Sequence, residues 1–408
     1  MNTLTRRGLV AASATLPLLA AGRARAQAPT LRIGVLTDMS GTYRDASGPL
    51  AVMAAQQAVQ DFGAATKGLA VEVLSADHQN KPDVGAGVAR QWFDSGVDII
   101  LEVTNSAVGL AVAGVARDKN KAYSNSGAAT SDLTGPQCNA NTIHWSYDTY
   151  MLAKSTGGAL VKAGGDSWFF MTADYAFGNA LQRDTTAFIQ AAGGKVVGSV
   201  KYPFPSTTDF SSFLVQAQSS GAKILGLASA GADTVNQVKQ AREFGVTSSM
   251  KLAALLCFIS DVHSIGLEIG QGLRLTNSFY WDMNDRTRAF SERLRPKMPA
   301  ARPGMIHAGV YASALHFLKV AAEMGAAKAK ESGAATVARM KAMPTDDDCF
   351  GKGVIRSDGL AIHPSFLWEV KTPGESKHDW DLLKPVATTP ADEAFRPLAE
   401  GGCTLPRT

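Results

Sequence analysis

LRIGVLTDMSGTYRDASGP, residues 31–49, is the stretch whose reading decides the fold. Its first part, Leu31–Leu36, is a short apolar run dense enough for a strand buried on both faces, as a parallel sheet requires. A polar Ser-Gly turn follows and runs into a helix at Gly48. Strand, polar loop and helix make the opening of a βαβ unit. In open α/β sheets ligands gather at the carboxyl ends of the strands, so the loop after this strand is the first place to expect a site.

Outward from that stretch the alternation continues. Strands are expected at Val71–Ala76, Asp98–Val103, Lys121–Asn125, Thr142–Trp145, Trp168–Thr172, Lys195–Lys201, Lys223–Ala228 and Lys251–Leu256. Between them, Gly48–Phe62, Pro82–Ser95, Gly178–Ala192, Phe210–Ser219 and Thr234–Phe244 read as helices. Such alternation implies right-handed crossovers and mostly parallel sheets. Near residue 277 the rhythm changes. Asp285–Lys297, Met305–Met324 and Thr336–Met343 look helical, and Gly353–Arg356 and Phe366–Lys371 read as two strands joined by the turn Ser357-Asp358-Gly359, a hairpin-like ending. Two α/β halves of roughly 120 residues each, within the usual domain size, point to a bilobal protein with its break around Ser146–Thr149.

Upstream of residue 27 the chain has the three parts of an export signal. Arg6 and Arg7 form the positive end, Leu9–Ala21 is apolar and uncharged, and Ala24-Arg25-Ala26 offers a small-x-small cleavage pattern. Cleavage is expected near Ala26, and the pair Arg6-Arg7 suits twin-arginine and ordinary secretory routes alike. The whole sequence has 40 Lys+Arg against 36 Asp+Glu, a formal +4. The first 26 residues hold four arginines and no acid, which leaves 36 against 36 in the rest. That balance gives no electrostatic case for nucleic acid or an anionic membrane. With 45% hydrophobic residues, the remaining chain can bury a sizeable core. No stretch after residue 26 is long and apolar enough to insert in a membrane.

The four cysteines show no CxxC spacing, which disfavours zinc. In an oxidising compartment one disulfide is expected, and four cysteines allow three complete pairings. Cys138 (TGPQCN) and Cys403 (EGGCTLP) both lie in Gly/Pro-rich loops and are the preferred pair, whereas Cys257 sits in an apolar run as a core thiol. Catalytic signatures are lacking: no GxSxG elbow, P-loop, HExxH, or GxGxxG after the first strand. The seven histidines are scattered, and no cofactor motif is present.

Taken in order, IGVLTDMSG, ADHQNKPD (76–83), NSAVG (105–109), SNSGAATSDLT (124–134), TADYAFG (172–178) and KQAREFG (239–245) carry a resemblance. The chain resembles the branched-chain amino-acid type of periplasmic binding protein, the solute-capturing component of ABC importers. The resemblance implies two Rossmann-like lobes, mostly parallel, joined by a three-crossing hinge with the ligand between them. It implies lobe 1 from 27–146 plus 278–354, lobe 2 from 147–277 plus 355–390, and a tail over 391–408. It also implies an ABC permease in the inner membrane as partner and a periplasmic location. The alternative is an exported sensor of the same fold that feeds a chemoreceptor.

The family's carboxylate-binding serine falls on Ser106, which also suits a helix start; Asn105 stands beside it. Hydroxyls and amides at helix N-termini hold a carboxylate without a buried countercharge. Gly127 and Ala128 match the second ligand loop. The family's hydroxyl partner falls on Ala129 without a gap or on Thr130 with a one-residue shift, and Thr130 is taken. Tyr43 and Arg44 occupy the first loop, where Arg44 has Asp45 as a surface partner. From the second lobe, Phe177 matches the cleft aromatic, with Tyr175 two residues earlier; Tyr147, Tyr150 and Tyr280-Trp281 fall near hinge crossings. Amino-acid-binding members place a carboxylate against the ligand's ammonium, and here that position is Leu255. Ala230 stands where relatives have a bulky tyrosine, and Asp233 is the remaining acidic substitute. The expected ligand is therefore a small carboxylate: an amino acid or, preferred, an organic or aromatic acid that lacks an amine.

Overall fold

A computed structural model describes residues 29–406. The export signal and the cleavage near Ala26 lie outside the described residues. The first segment alternates β1 (Leu31–Thr37), α1 (Gly48–Phe62), β2 (Val71–Asp77), α2 (Pro82–Asp94), β3 (Ile99–Glu102), α3 (Ser106–Asp118), β4 (Ala122–Asn125) and β5 (Thr142–His144). These five strands form one parallel sheet, ordered β2-β1-β3-β4-β5. β1 and β3 are buried nearly throughout, as their apolar runs demand. Prolines at the first turns of α1 and α2 cost no hydrogen bond there, and Gly63 ends α1 at φ 67°, in the left-handed region.

A second segment repeats the pattern: α4 (Thr149–Lys162), β6 (Ser167–Ala173), α5 (Ala176–Ala191), β7 (Lys195–Tyr202), α6 (Ser211–Ser219), β8 (Ile224–Ala228), α7 (Ala232–Glu243), β9 (Lys251–Ala254), α8 (Ile259–Ile265), α9 (Leu267–Gly270) and β10 (Arg274–Asn277). Its parallel sheet runs β7-β6-β8-β9. The two lobes of the fold are built on these two sheets.

The last third divides between them. α10 (Asp285–Leu294), α11 (Met305–Met324), α12 (Ala326–Glu331), α13 (Gly333–Ala342), β11 (Thr345–Asp347), β12 (Gly351–Ile355) and β13 (Ala361–Ile362) follow in order. α11 is buried along most of its length and packs on α1 and β3, which assigns it to the first lobe. Then β14 (Ser365–Val370) and β15 (Leu383–Thr389) pair with β10 in the second lobe, before a short α14 (Ala391–Ala394).

The hairpin-like ending is corrected by these pairings. β12 pairs with β11 and β13, while β14 pairs antiparallel with β10 and β15. The turn at Ser357-Asp358-Gly359 delivers only the two-residue β13, which an His144–Leu360 bridge ties to the first sheet. β13 thus stays with the first sheet and β14 joins the second, with His363-Pro364 between them. His363 Nε2 lies 2.9 Å from the Trp145 carbonyl, so this segment is bonded to the stretch that leads from β5 to α4.

Cys138 and Cys403 are joined, with Cα atoms 5.7 Å apart, and the bond pins the C-terminal segment to the first lobe. Cys257 and Cys349 are buried free thiols.

Candidate ligand-binding site

The carboxyl ends of the two sheets face one another across a small cavity. From the first lobe and its crossing come Tyr43, Thr104, Ser106, Gly127, Ala129 and Tyr147. From the second come Tyr175, Phe177, Ala230, Leu256 and Phe258. Every one of these lies in a loop after a strand or in the first turn of the helix that follows.

Each wall is set by local chemistry. The buried Asp38 carboxylate accepts the amides of Ser40 (3.2 Å), Gly41 (2.6 Å) and Tyr43 (2.9 Å) and the Asn80 side-chain amide (2.6 Å). That ring of donors folds the first loop and turns Tyr43 inward. Asn105 Oδ1 accepts the amides of Ala107 (3.0 Å) and Val108 (3.1 Å), so Asn105 caps α3 and Ser106 becomes its first residue. Ser106 Oγ accepts the Thr130 amide at 3.1 Å, which leaves its own hydrogen free to donate. The amides of Gly127 and Ala129 find no acceptor among the described residues. The Tyr147 hydroxyl donates to the Gly127 carbonyl at 2.7 Å and steadies that loop.

Aromatic rings form the opposite wall. Tyr175 stacks on Phe204 with centroids 4.3 Å apart, and Tyr43 reaches across from the other lobe to stack on the same ring at 5.7 Å. The hydroxyls of Tyr43 and Tyr175 are hydrogen-bonded to each other. The Ala232 amide donates to the Thr42 carbonyl at 3.0 Å. Ser131 Oγ, after β4, donates to Asp184 on α5 at 2.9 Å. The lobes are thus in contact around the cavity.

No charged side chain lines it. Asp233 accepts the Tyr202 hydroxyl at 2.9 Å, and burial pushes its carboxyl up to about 7. Asp261 accepts the amides of Phe258 (2.9 Å) and Gly231 (3.2 Å), and burial raises it to about 7 as well. Both carboxylates are spent on holding loops.

Of the sequence-predicted residues, Tyr43, Ser106, Gly127, Tyr147, Tyr175, Phe177 and Ala230 meet at the cavity, and the others do not. Arg44 is exposed, 3.4 Å from Asp45, and its replacement by alanine is expected to change calorimetric affinity by less than about 0.5 kcal/mol. Asn105 works as a cap. Ala128 lies behind the wall, its amide bonded to Asn125 Oδ1 at 2.8 Å. Thr130 Oγ1 accepts the Asp132 amide at 3.3 Å, a capping role, so the ungapped alternative, Ala129, is the one at the cavity. Tyr150 packs edge-on against Phe188, 5.0 Å away. Leu255 is buried below its neighbour Leu256, because β9 stops at Ala254 and strand alternation no longer sets which side chain faces the cleft. Tyr280 and Trp281 both donate to the Trp380 carbonyl, 3.0 and 3.1 Å away, and hold a surface loop.

Thr104 and Phe258 were not singled out in the sequence. Thr104 sits two residues before Ser106 and Phe258 at the start of α8, so the helix-start logic that found Ser106 would have reached both.

The family described as periplasmic binding protein matches residues 30–377. A periplasmic binding protein from Burkholderia mallei is 48% identical, with 92% of this chain and 99% of that one covered and a TM-score of 0.88. A branched chain amino acid ABC transporter periplasmic ligand-binding protein from Burkholderia xenovorans LB400 is 38% identical, over 92% of this chain and 100% of that one, at a TM-score of 0.80. An ABC transporter solute binding protein from R. palustris, solved with benzoate, shares the fold at 19% identity, 92% and 100% coverage and a TM-score of 0.79. No curated protein matches the chain.

Proposed function

The chain belongs to the periplasmic binding protein family, and on that premise we propose that it captures a small carboxylate without an amine, an aromatic acid by preference, between its lobes. The observation that carries this reading is the make-up of the wall. Ser106 and the free amides of Gly127 and Ala129 supply donors that can replace the hydration of a carboxylate, while no acidic side chain waits for an ammonium. The flat rings of Tyr43, Tyr147, Tyr175, Phe177 and Phe258 suit an aromatic or planar body.

In this reading the lobes close over the acid by hinge motion, and the closed form is presented to an ABC permease in the inner membrane. The export signal before residue 27 delivers the chain to the periplasm. Among the described residues no helix is long and apolar enough to cross a membrane. Members of this family bind solutes and do not convert them, so the proposal includes no catalytic step.

Thermal-shift and calorimetric titration with benzoates, phenylpropanoids, keto acids, dicarboxylates and leucine test the ligand class. Benzoates are expected to raise the melting temperature most; stabilisation by leucine but by none of the amine-free acids would overturn the assignment. Ser106→Ala is expected to weaken the best acid by about 1–3 kcal/mol through a lost charge-assisted donor. Unchanged affinity would remove Ser106 from the site.

A further inference from the structure

Glu102 ends β3 directly behind the cavity and is fully buried. One carboxyl oxygen, Oε1, is hydrogen-bonded with Thr104 Oγ1; the other, Oε2, has no partner within hydrogen-bond distance among the described residues, and the Thr37 hydroxyl is the other side chain that acts on this carboxyl. Thr104 and Gly127 both line the cavity, and a Cβ at Gly127 would collide with Glu102 Oε1. The carboxyl therefore lies one residue layer from whatever the cavity holds. The backbone here is unusual too. Glu102 has φ 80° and Val103 φ 68°, a left-handed excursion that a β-branched residue makes only under constraint. Strain of this kind persists where the surroundings over-determine it and clusters at functional sites.

The titratable groups that face Glu102 are Asp38 after β1, Tyr123 on β4 and Tyr147 after β5. α11 packs on β3, but its own groups are engaged elsewhere: His307 with the Gly304 amide and Ser47 carbonyl, Tyr311 with Asp61, His316 with the Met340 carbonyl. No cation is among the largest influences on Glu102. Burial pushes its carboxyl up to about 8, so it carries a proton at neutral pH.

Counting hydrogens gives that proton a consequence. A neutral carboxyl and a hydroxyl bring two hydrogens to one contact. When Glu102 donates to Thr104 Oγ1, the threonine's own hydrogen is released to point into the cavity. When Glu102 is ionised, the contact consumes that hydrogen and a negative charge stands behind the wall.

We propose that Glu102 is a positioning residue that, as a neutral acid, turns the Thr104 hydroxyl into a donor for the ligand's carboxylate, so that capture requires the protonated form. This rests on the carboxylate reading above. The sign follows from linkage: affinity is fully present while Glu102 keeps its proton and is lost as pH rises through its ionisation.

The test is calorimetry with benzoate from about pH 6 to about pH 9.5, which brackets that ionisation. Wild-type Kd should stay flat up to about pH 8 and then weaken by about tenfold per pH unit. Glu102→Gln, whose amide still donates to Thr104, should bind comparably at low pH and show no such break. Thr104→Val should bind weakly at every pH. A flat wild-type profile, or the same break in Glu102→Gln, overturns the proposal and leaves the carboxylate reading standing. Failure of benzoate and of every other acid to bind at low pH removes that reading and this proposal with it. A readout without ligand decides the proton itself: the infrared difference between wild type and Glu102→Gln at neutral pH should contain the carbonyl stretch of a protonated acid, and its absence overturns the proposal whatever binds.

Discussion

A Gly231→Ala protein is expected to keep its fold and lose ligand affinity by about 3 kcal/mol, more than a hundredfold. Gly231 precedes α7 with φ 62° and ψ −139°, a region that residues with a side chain scarcely enter. A Cβ there would run into the Thr42 carbonyl, which belongs to the opposite lobe, and would touch the Tyr43 ring at 3.0 Å. The same carbonyl accepts the Ala232 amide at 3.0 Å, so it cannot retreat without breaking a contact between lobes. The added carbon therefore acts on closure far more than on either lobe alone. Calorimetry reports the lost affinity, and small-angle scattering should show that the variant no longer contracts when the best acid is added. An alanine protein that binds and contracts like the wild type would mean that the lobes do not meet at this loop during capture.

Cys403→Ser is expected to lower stability by about 2–5 kcal/mol. The Cys138–Cys403 bond spans 265 residues, so in the chain-entropy account it removes much freedom from the unfolded state. In the folded state it ties the C-terminal segment to the loop after β4, where the Arg396 guanidinium also donates to the Ser131 carbonyl at 3.0 Å and the Arg396 backbone carbonyl accepts from the Arg356 guanidinium at 2.7 Å. Denaturant unfolding with and without reductant measures the effect. Thiol titration of the unfolded, unreduced protein should find two thiols, Cys257 and Cys349, and four after reduction. Four thiols before reduction would sink the pairing.

Much of the fold was legible because its signals are local. All nine strands expected up to residue 256 are present, and α1 and α11 begin and end at the expected residues. Buried parallel strands need dense apolar runs, and helices need capping and proline signals at their ends; both are written within a few residues. The late strands were harder. β13 has two residues and β14 finds its partner in β10, about ninety residues earlier, so no short-range pattern could assign the pairing.

The candidate site divides along the same line. Ser106 could be located because a helix start after a strand is a local feature with a chemical use. Leu255 and Thr130 missed the cavity by one residue each, since a loop beyond a strand end keeps no fixed alternation. Glu102 gave the sequence reader only an acid in an apolar run, and nothing marked it as unpaired.

From the sequence by itself came the class of fold, the export address, the preferred cysteine pair and the neighbourhood of the cleft, because periodicity, charge and turn chemistry act over a few residues. Only the tertiary structure decided which side chains face the cavity, that Tyr43 meets Tyr175 and Thr42 meets Ala232 across it, and that Glu102 is left with an oxygen nobody bonds. Those outcomes depend on contacts between residues tens to hundreds of positions apart, and such contacts are settled by packing of the whole chain.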